Sequence, residues 1–163
     1  MEALLVEITG GLPDLAQLLR VTLRLIVAAL LGAVIGYERE SAGKAAGLRT
    51  HMLVSLGAAL FVIGGLESGM DPEDISRVIQ GLATGIGFVG AGAILKLDEE
   101  RQIRGLTTAA GIWLTAAVGV AAGLGRLAAA CVGVMLTWII LVGLVELERR
   151  THAKRKGSSS GAS

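Results

Sequence analysis

Charged residues interrupt this chain at intervals and leave long apolar stretches between them. With His counted as neutral, the uncharged runs are Leu25–Tyr37, Thr50–Leu66, Val78–Leu95, Gly105–Gly125 and Leu127–Val145. A helix rising ~1.5 Å per residue needs about 20 residues to cross ~30 Å of hydrocarbon, and about 17 still suffice. Four of the runs meet that length directly. The first meets it only if its helix extends back through Arg24 and Arg20 toward Pro13, a residue suited to a helical first turn. The pattern predicts an all-α, polytopic membrane bundle of about five transmembrane helices. A soluble bundle does not account for it, because five successive helices without a polar face leave nothing to meet water.

Composition agrees. The 163 residues are 53% hydrophobic and 18% charged, with a mean hydropathy of +0.68, whereas soluble domains carry about 25% charged residues. A formal net charge of +1 gives no polyelectrolyte character that would point to nucleic acid. The single cysteine, Cys131, excludes an intrachain disulfide and a cysteine metal cluster, and its apolar surroundings read as those of a buried thiol.

The charges are also sided. Arg39, Lys44 and Arg49 follow the first span, Lys96, Arg101 and Arg104 follow the third, and Arg149, Arg150, Lys154, Arg155 and Lys156 follow the fifth. The alternate loops hold only Arg77 and Arg126, beside Glu67, Asp71, Glu73 and Asp74. The positive-inside rule then places the C-terminus in the cytoplasm and the N-terminus outside. Residues 1–148 form the transmembrane domain, and residues 149–163, basic and then rich in Gly and Ser, form a disordered cytoplasmic tail. Asp71-Pro72-Glu73-Asp74 marks a helix start at the outer end of the third span.

Small residues predict how the spans meet, since helices in lipid associate through close packing rather than a hydrophobic force. In the third span Gly81, Gly85 and Gly92 fall on one face, and Gly87 and Gly90 on the other. Glycine on two faces places this span at the centre of the bundle. Residues 85–90 also read G-x-G-x-x-G, but they lie inside an apolar helix with no preceding strand, so no dinucleotide is implied. On the second span His51, Ala58 and Gly65 recur every seven residues with Ser55 alongside. On the fourth, Thr108, Gly111, Thr115, Gly119 and Ala122 share a face opposite Leu106, Trp113, Val120 and Leu124. Both small-residue faces are expected to look inward.

Three ordered blocks then carry a family resemblance. Gly32-Ala-Val-Ile-Gly36-Tyr-Glu38-Arg39-Glu with Ala46-Gly-Leu-Arg49-Thr-His51, then Gly85-Ile-Gly-Phe-Val-Gly-Ala-Gly92, then Arg104-Gly-Leu-Thr-Thr-Ala-Ala110 with Trp113, resemble the MgtC/SapB family. The resemblance covers Leu18 to Gly125. It implies a bacterial inner-membrane protein linked to adaptation to low magnesium. In the better-studied relatives it also implies restraint of the rotary ATP synthase and survival inside host cells. Those relatives add a soluble C-terminal domain, so this chain reads as a short form, and some of them have Asn at the position of Thr107.

The charged groups suggest where function sits. Glu38, Arg39, Arg49, His51 and Arg104, with Thr107 and Thr108, gather at the cytoplasmic ends of spans one, two and four. Charges there must be paired, solvated or snorkelling. They are expected to form either a polar vestibule in which Glu38 pairs with Arg49 or Arg104, or a set of anchors that hold the helix ends at the interface and establish topology. If the first helix starts near Pro13, Arg24 lies about 16 Å in, a depth that demands a partner; if the span starts later, Arg24 snorkels outward instead. Candidate partners are a backbone carbonyl freed near a glycine, Gln80 or Thr84. Magnesium favours carboxylate and water oxygens, and the spans hold no carboxylate between their ends; Asp98-Glu99-Glu100 lie in a loop and Glu146 at a boundary. No catalytic set, metal site or cofactor site is legible. The sequence therefore predicts a non-enzymatic, regulatory membrane protein, with an oligomeric transporter or channel as the alternative. Its expected partners are the lipid bilayer, another membrane protein and further copies of itself.

Overall fold

The computed structural model describes residues 14–97 and 102–143. Five helices follow one another: α1 (Leu15–Ser41), α2 (Leu48–Glu67), α3 (Pro72–Gly92), α4 (Leu106–Gly123) and α5 (Leu127–Trp138), the last widening into a π turn over Ile139–Gly143. α1, α2 and α4 are long and apolar enough to cross a membrane. α3 has the length as well, but carries Glu73, Asp74 and Arg77 in its first turns. The predicted helical bundle is present; the described part of each predicted run lies in one helix and the turns at its ends, except that the third run reaches Leu95 in the strand that follows α3. The proposed tail 149–163, the loop acids Asp98, Glu99 and Glu100, and Glu146 lie outside the described residues.

Local chemistry explains the boundaries. The Asp71 carboxylate accepts from the N–H groups of Glu73 at 2.8 Å and Asp74 at 2.9 Å, with Pro72 first in the helix, as the sequence predicts. Between α3 and α4 the chain adds a feature the periodicity does not announce. It is a two-stranded antiparallel ribbon, β1 (Leu95–Leu97) and β2 (Gln102–Arg104), with Leu95 opposite Arg104. Gly105 ends the ribbon at φ +96°, and a Cβ there would run into the Ala93 carbonyl, so both backbone angle and space require glycine.

The centre of the bundle is α2. On one side Gly32 and Gly36 of α1 lie against its backbone. A Cβ at Gly32 would stand 2.6 Å from the His51 carbonyl oxygen, and one at Gly36 would stand 2.7 Å from Leu48 Cα. On the other side Gly119 and Gly123 of α4 do the same against Ser55 and Ala59, the Gly123 position falling 2.8 Å from the Ala59 carbonyl oxygen. Small residues four apart let two helices approach backbone to backbone. Ala28, Ala59 and Ala122, all fully buried, close the triple contact. Ile35, Val118, Ala130 and Val134 then join α1, α4 and α5 in a second cluster. The inward faces predicted for α2 and α4 are buried throughout: His51, Ser55, Ala58 and Gly65 on one, Thr108, Gly111, Thr115, Gly119 and Ala122 on the other.

The expectation that the third span occupies the centre is overturned. Only Ile75 and Gly90 of α3 are buried. A Cβ at Gly81, Gly85, Gly87 or Gly92 would meet nothing within 4 Å, and Gly90 alone faces a neighbour, Ala109 at 3.6 Å. Glycine spacing marks a helix that can be approached, and among the described helices α1 and α4 use it. Cys131 is a second correction. Its thiol is exposed on the outer face of α5 rather than buried, because Ala130 and Val134 take the inward positions on that helix.

Glycines in and out of the core should respond oppositely to alanine. Gly119→Ala is expected to lower thermal stability in detergent by about 1–3 kcal/mol through overpacking against Ser55. Gly85→Ala should leave it unchanged or raise it by up to ~1 kcal/mol through helix preference. Equal melting shifts for the two variants would contradict this packing.

Candidate functional site

The polar residues collect at the end of the bundle where α1 ends and α2 and α4 begin. Arg39 lies in the last turn of α1, where a cation faces the negative end of the helix. Its Nε donates to Glu38 Oε2 at 2.6 Å and its Nη2 to Oε1 at 3.0 Å, a two-pronged ion pair. Both side chains are nearly sequestered, 3% and 11% exposed. Glu38 thus pairs with its chain neighbour, not with Arg49, which is exposed.

His51 stands beside this pair in the first turn of α2, fully buried. Its Nδ1 lies 2.9 Å from the Gly47 carbonyl oxygen. A carbonyl only accepts, so Nδ1 carries the proton and Nε2 of the neutral ring presents a lone pair. One turn on, Ser55 is equally buried. From α4, Thr108 and Thr115 complete a polar stripe, with Thr115 Oγ1 donating back to the Gly111 carbonyl at 2.8 Å. Among the described residues, Arg39 Nη1, His51 Nε2 and Ser55 Oγ have no hydrogen-bond partner.

Arg104 and Thr107 are exposed. With Lys44, Gly105 and Thr108 they line a cleft of about 490 Å³ at the same end of the bundle. Thr108 is the residue shared between cleft and interior. The structure therefore divides the predicted cluster into a buried part (Glu38, Arg39, His51, Thr108), a cleft part (Arg104, Thr107, Thr108) and the outlying Arg49.

Glu40 is a residue that sequence reasoning missed. Its Oε2 accepts from Leu48 N–H at 2.8 Å and so caps α2 from eight residues upstream. The available signal was the helix start itself: Gly47 stands at the N-cap of α2 with no side chain to cap it, which calls for a remote acceptor.

At the opposite end, Arg24 reaches from α1 to the α4–α5 turn. Its Nη1 donates to the Gly123 carbonyl at 3.1 Å, one of the last acceptors of α4. This is the backbone carbonyl near a glycine that the sequence suggests. Gln80 and Thr84 instead bond within α3. Gly125 makes room for the guanidinium: at φ +75°, a Cβ would stand 2.7 Å from Arg24 Nη2. The acids at this end are engaged locally, with Arg77 pairing Glu73 at 2.8 Å and Asp74 at 3.3 Å, and Gln17 bonding Glu67. Among the described residues no group of three His, Cys, Asp or Glu is placed to hold a metal ion.

The buried pair and the outlying arginine should separate in a stability measurement. Glu38→Gln leaves the Arg39 charge buried without a counter-charge and is expected to cost on the order of 3 kcal/mol. Arg49→Gln, at an exposed position, should change stability by less than ~0.5 kcal/mol. Matching losses of thermal stability would contradict the assignment of Arg39 as the partner of Glu38.

The family profile described as "MgtC family" matches residues 25–150. Among curated relatives, "Protein SrpB" of Synechococcus elongatus is 41% identical over 80% of this chain and 78% of its own length. "Putative magnesium transporter YhiD" of Escherichia coli K12 is 43% identical over 73% of this chain and 58% of its own length. "Protein MgtC" of Salmonella typhimurium is 44% identical over 64% of this chain and 43% of its own length. This chain thus spans between two fifths and four fifths of those relatives. No solved structure matches.

Proposed function

The chain belongs to the MgtC family of membrane proteins, and from that premise we propose that it is a non-enzymatic regulator in the bacterial inner membrane. It acts through helix contacts with another membrane protein or with a second copy of itself. The observation that carries this reading is the packing of α1, α2 and α4. Gly32, Gly36, Gly119 and Gly123 bring these described helices backbone to backbone. The apolar outer surface, by contrast, is extensive and includes Leu53, Phe61, Phe88, Trp113 and Trp138. In a bilayer that surface meets lipid or another helix.

The magnesium link enters through the relatives' names, and under this reading the chain serves low-magnesium adaptation and the control of membrane energetics rather than carrying the ion. The engagement of Asp71 in a helix cap and of Glu73 and Asp74 with Arg77 supports that reading, since these carboxylates already have partners. A transporter assembled from several copies is the second reading. It draws on the open flank of α3, where an apolar groove of about 560 Å³ runs between Leu53 and Phe61 of α2 and Gly81 and Gly85 of α3.

The N-terminus lies outside and the C-terminus in the cytoplasm under the same proposal. In a Cys131→Ser background, Met70→Cys should react with an impermeant maleimide added to intact spheroplasts, and Lys44→Cys only after lysis. The reverse pattern would invert the topology. Purified protein in liposomes is expected to give no magnesium flux above that of empty vesicles, while in-membrane cross-linking yields a defined adduct with another protein or with itself. Sustained flux in the liposomes would replace the regulator with the transporter.

A further inference from the structure

Gly111 differs from the glycines that bring the helices together. A Cβ at Gly32, Gly119 or Gly123 would strike neighbouring backbone, but one at Gly111 would meet only His51 Nε2 at 3.6 Å and Arg39 Cδ at 4.0 Å. Those are ordinary contact distances. Gly111 itself is buried, so it leaves a space of about methyl size, bounded by an imidazole nitrogen and an arginine side chain. Helix approach does not explain this glycine.

The atoms around it describe what fits. Arg39 Nη1, His51 Nε2 and Ser55 Oγ all lack a partner among the described residues, in side chains of residues 2%, 0% and 0% exposed. Buried polar groups left unpaired are costly, and polar spaces large enough for one water, with two to four partners, are normally filled by it. The donor set selects the occupant. Arg39 Nη1 only donates. His51 Nε2, with Nδ1 committed to the Gly47 carbonyl, accepts. With the imidazole neutral, a simple anion cannot donate to that lone pair, and a metal cation is opposed by the guanidinium. A small molecule that both accepts and donates satisfies both atoms.

We propose that Gly111 keeps open an internal water site between α1, α2 and α4, in which a bound water accepts from Arg39 and donates to His51 Nε2. The Ser55 hydroxyl, one turn along the same face of α2, offers a further partner on that side. The site places a solvent-exchangeable proton against His51 inside a bundle whose neighbouring contacts are glycine and alanine.

Two substitutions test it. Gly111→Ala fits the space but displaces the water and leaves both polar groups unpaired; its thermal midpoint in detergent should fall by about 5 °C. Gly111→Ser carries a hydroxyl that can take over the water's two bonds and should melt within a degree or two of the unsubstituted protein. If alanine melts at or above the unsubstituted protein, the space is dry and the proposal fails, because the helix preference of alanine then acts unopposed. Equal losses for alanine and serine also overturn it, since they indicate crowding rather than a lost water. In ¹⁵N-histidine-labelled protein, the His51 ring should show magnetisation transfer from water. Absence of that transfer in the unsubstituted protein rejects the site whatever the variants do.

Discussion

The approach of α1 and α4 to the two sides of α2 is the constraint on which the rest of the bundle depends. Four glycines, spaced by four residues in each outer helix, remove the side chains that would hold the backbones apart. In lipid no hydrophobic gain draws helices together, so contact must come from dispersion over closely matched surfaces. A three-layer contact of glycine on helix on glycine gives that match along most of α2. The position of α5 against α1 and α4, and the looser attachment of α3, follow once those three helices are in place.

The polar cluster is a consequence of the same approach. Bringing α1 to within backbone contact of α2 near Leu48 and His51 carries Arg39 and His51 into the interior, where hydration shells do not fit. Arg39 retains its charge because Glu38 grips it with both carboxylate oxygens. Burial of this kind adds little to net stability, since desolvation offsets much of the ion-pair attraction. What it supplies is register. A slide of α1 along α2 by one turn would part Gly32 from His51 and Gly36 from Leu48 while stranding the guanidinium. The helix end is fixed further by Glu40, whose carboxylate ties the last turn of α1 to the first amide of α2.

Much of this was legible in the residues, and the exceptions share a cause. Charge interruptions locate the helices, Asp71-Pro72 starts α3, and the heptad of His51, Ala58 and Gly65 identifies the buried side of α2. Periodicity within one helix reports which face is small, but not whether a neighbour arrives to use it. Gly81, Gly85, Gly87 and Gly92 satisfied every requirement for close packing, yet no described helix covers them. The polar site follows the same division. Sequence could gather Glu38, Arg39, His51 and Thr108 at one end, because helix ends are readable. Choosing Arg39 over Arg49 as the partner of Glu38 required the rotation of α1 about its axis, which tertiary contacts set. The β ribbon was invisible because three-residue strands carry too little alternation to register against flanking helices.

Arg24 has a consequence in time. Its acceptor, the Gly123 carbonyl, lies 99 residues further along the chain. At a synthesis rate of about 5–20 residues per second, the guanidinium enters the membrane on the order of ten seconds before that carbonyl exists. During that interval α1 carries an unsatisfied charge that raises its cost of insertion by about 2.5–3.5 kcal/mol at full depth. The contact of Arg24 with the end of α4 therefore forms only after α4 and its closing turn have been made.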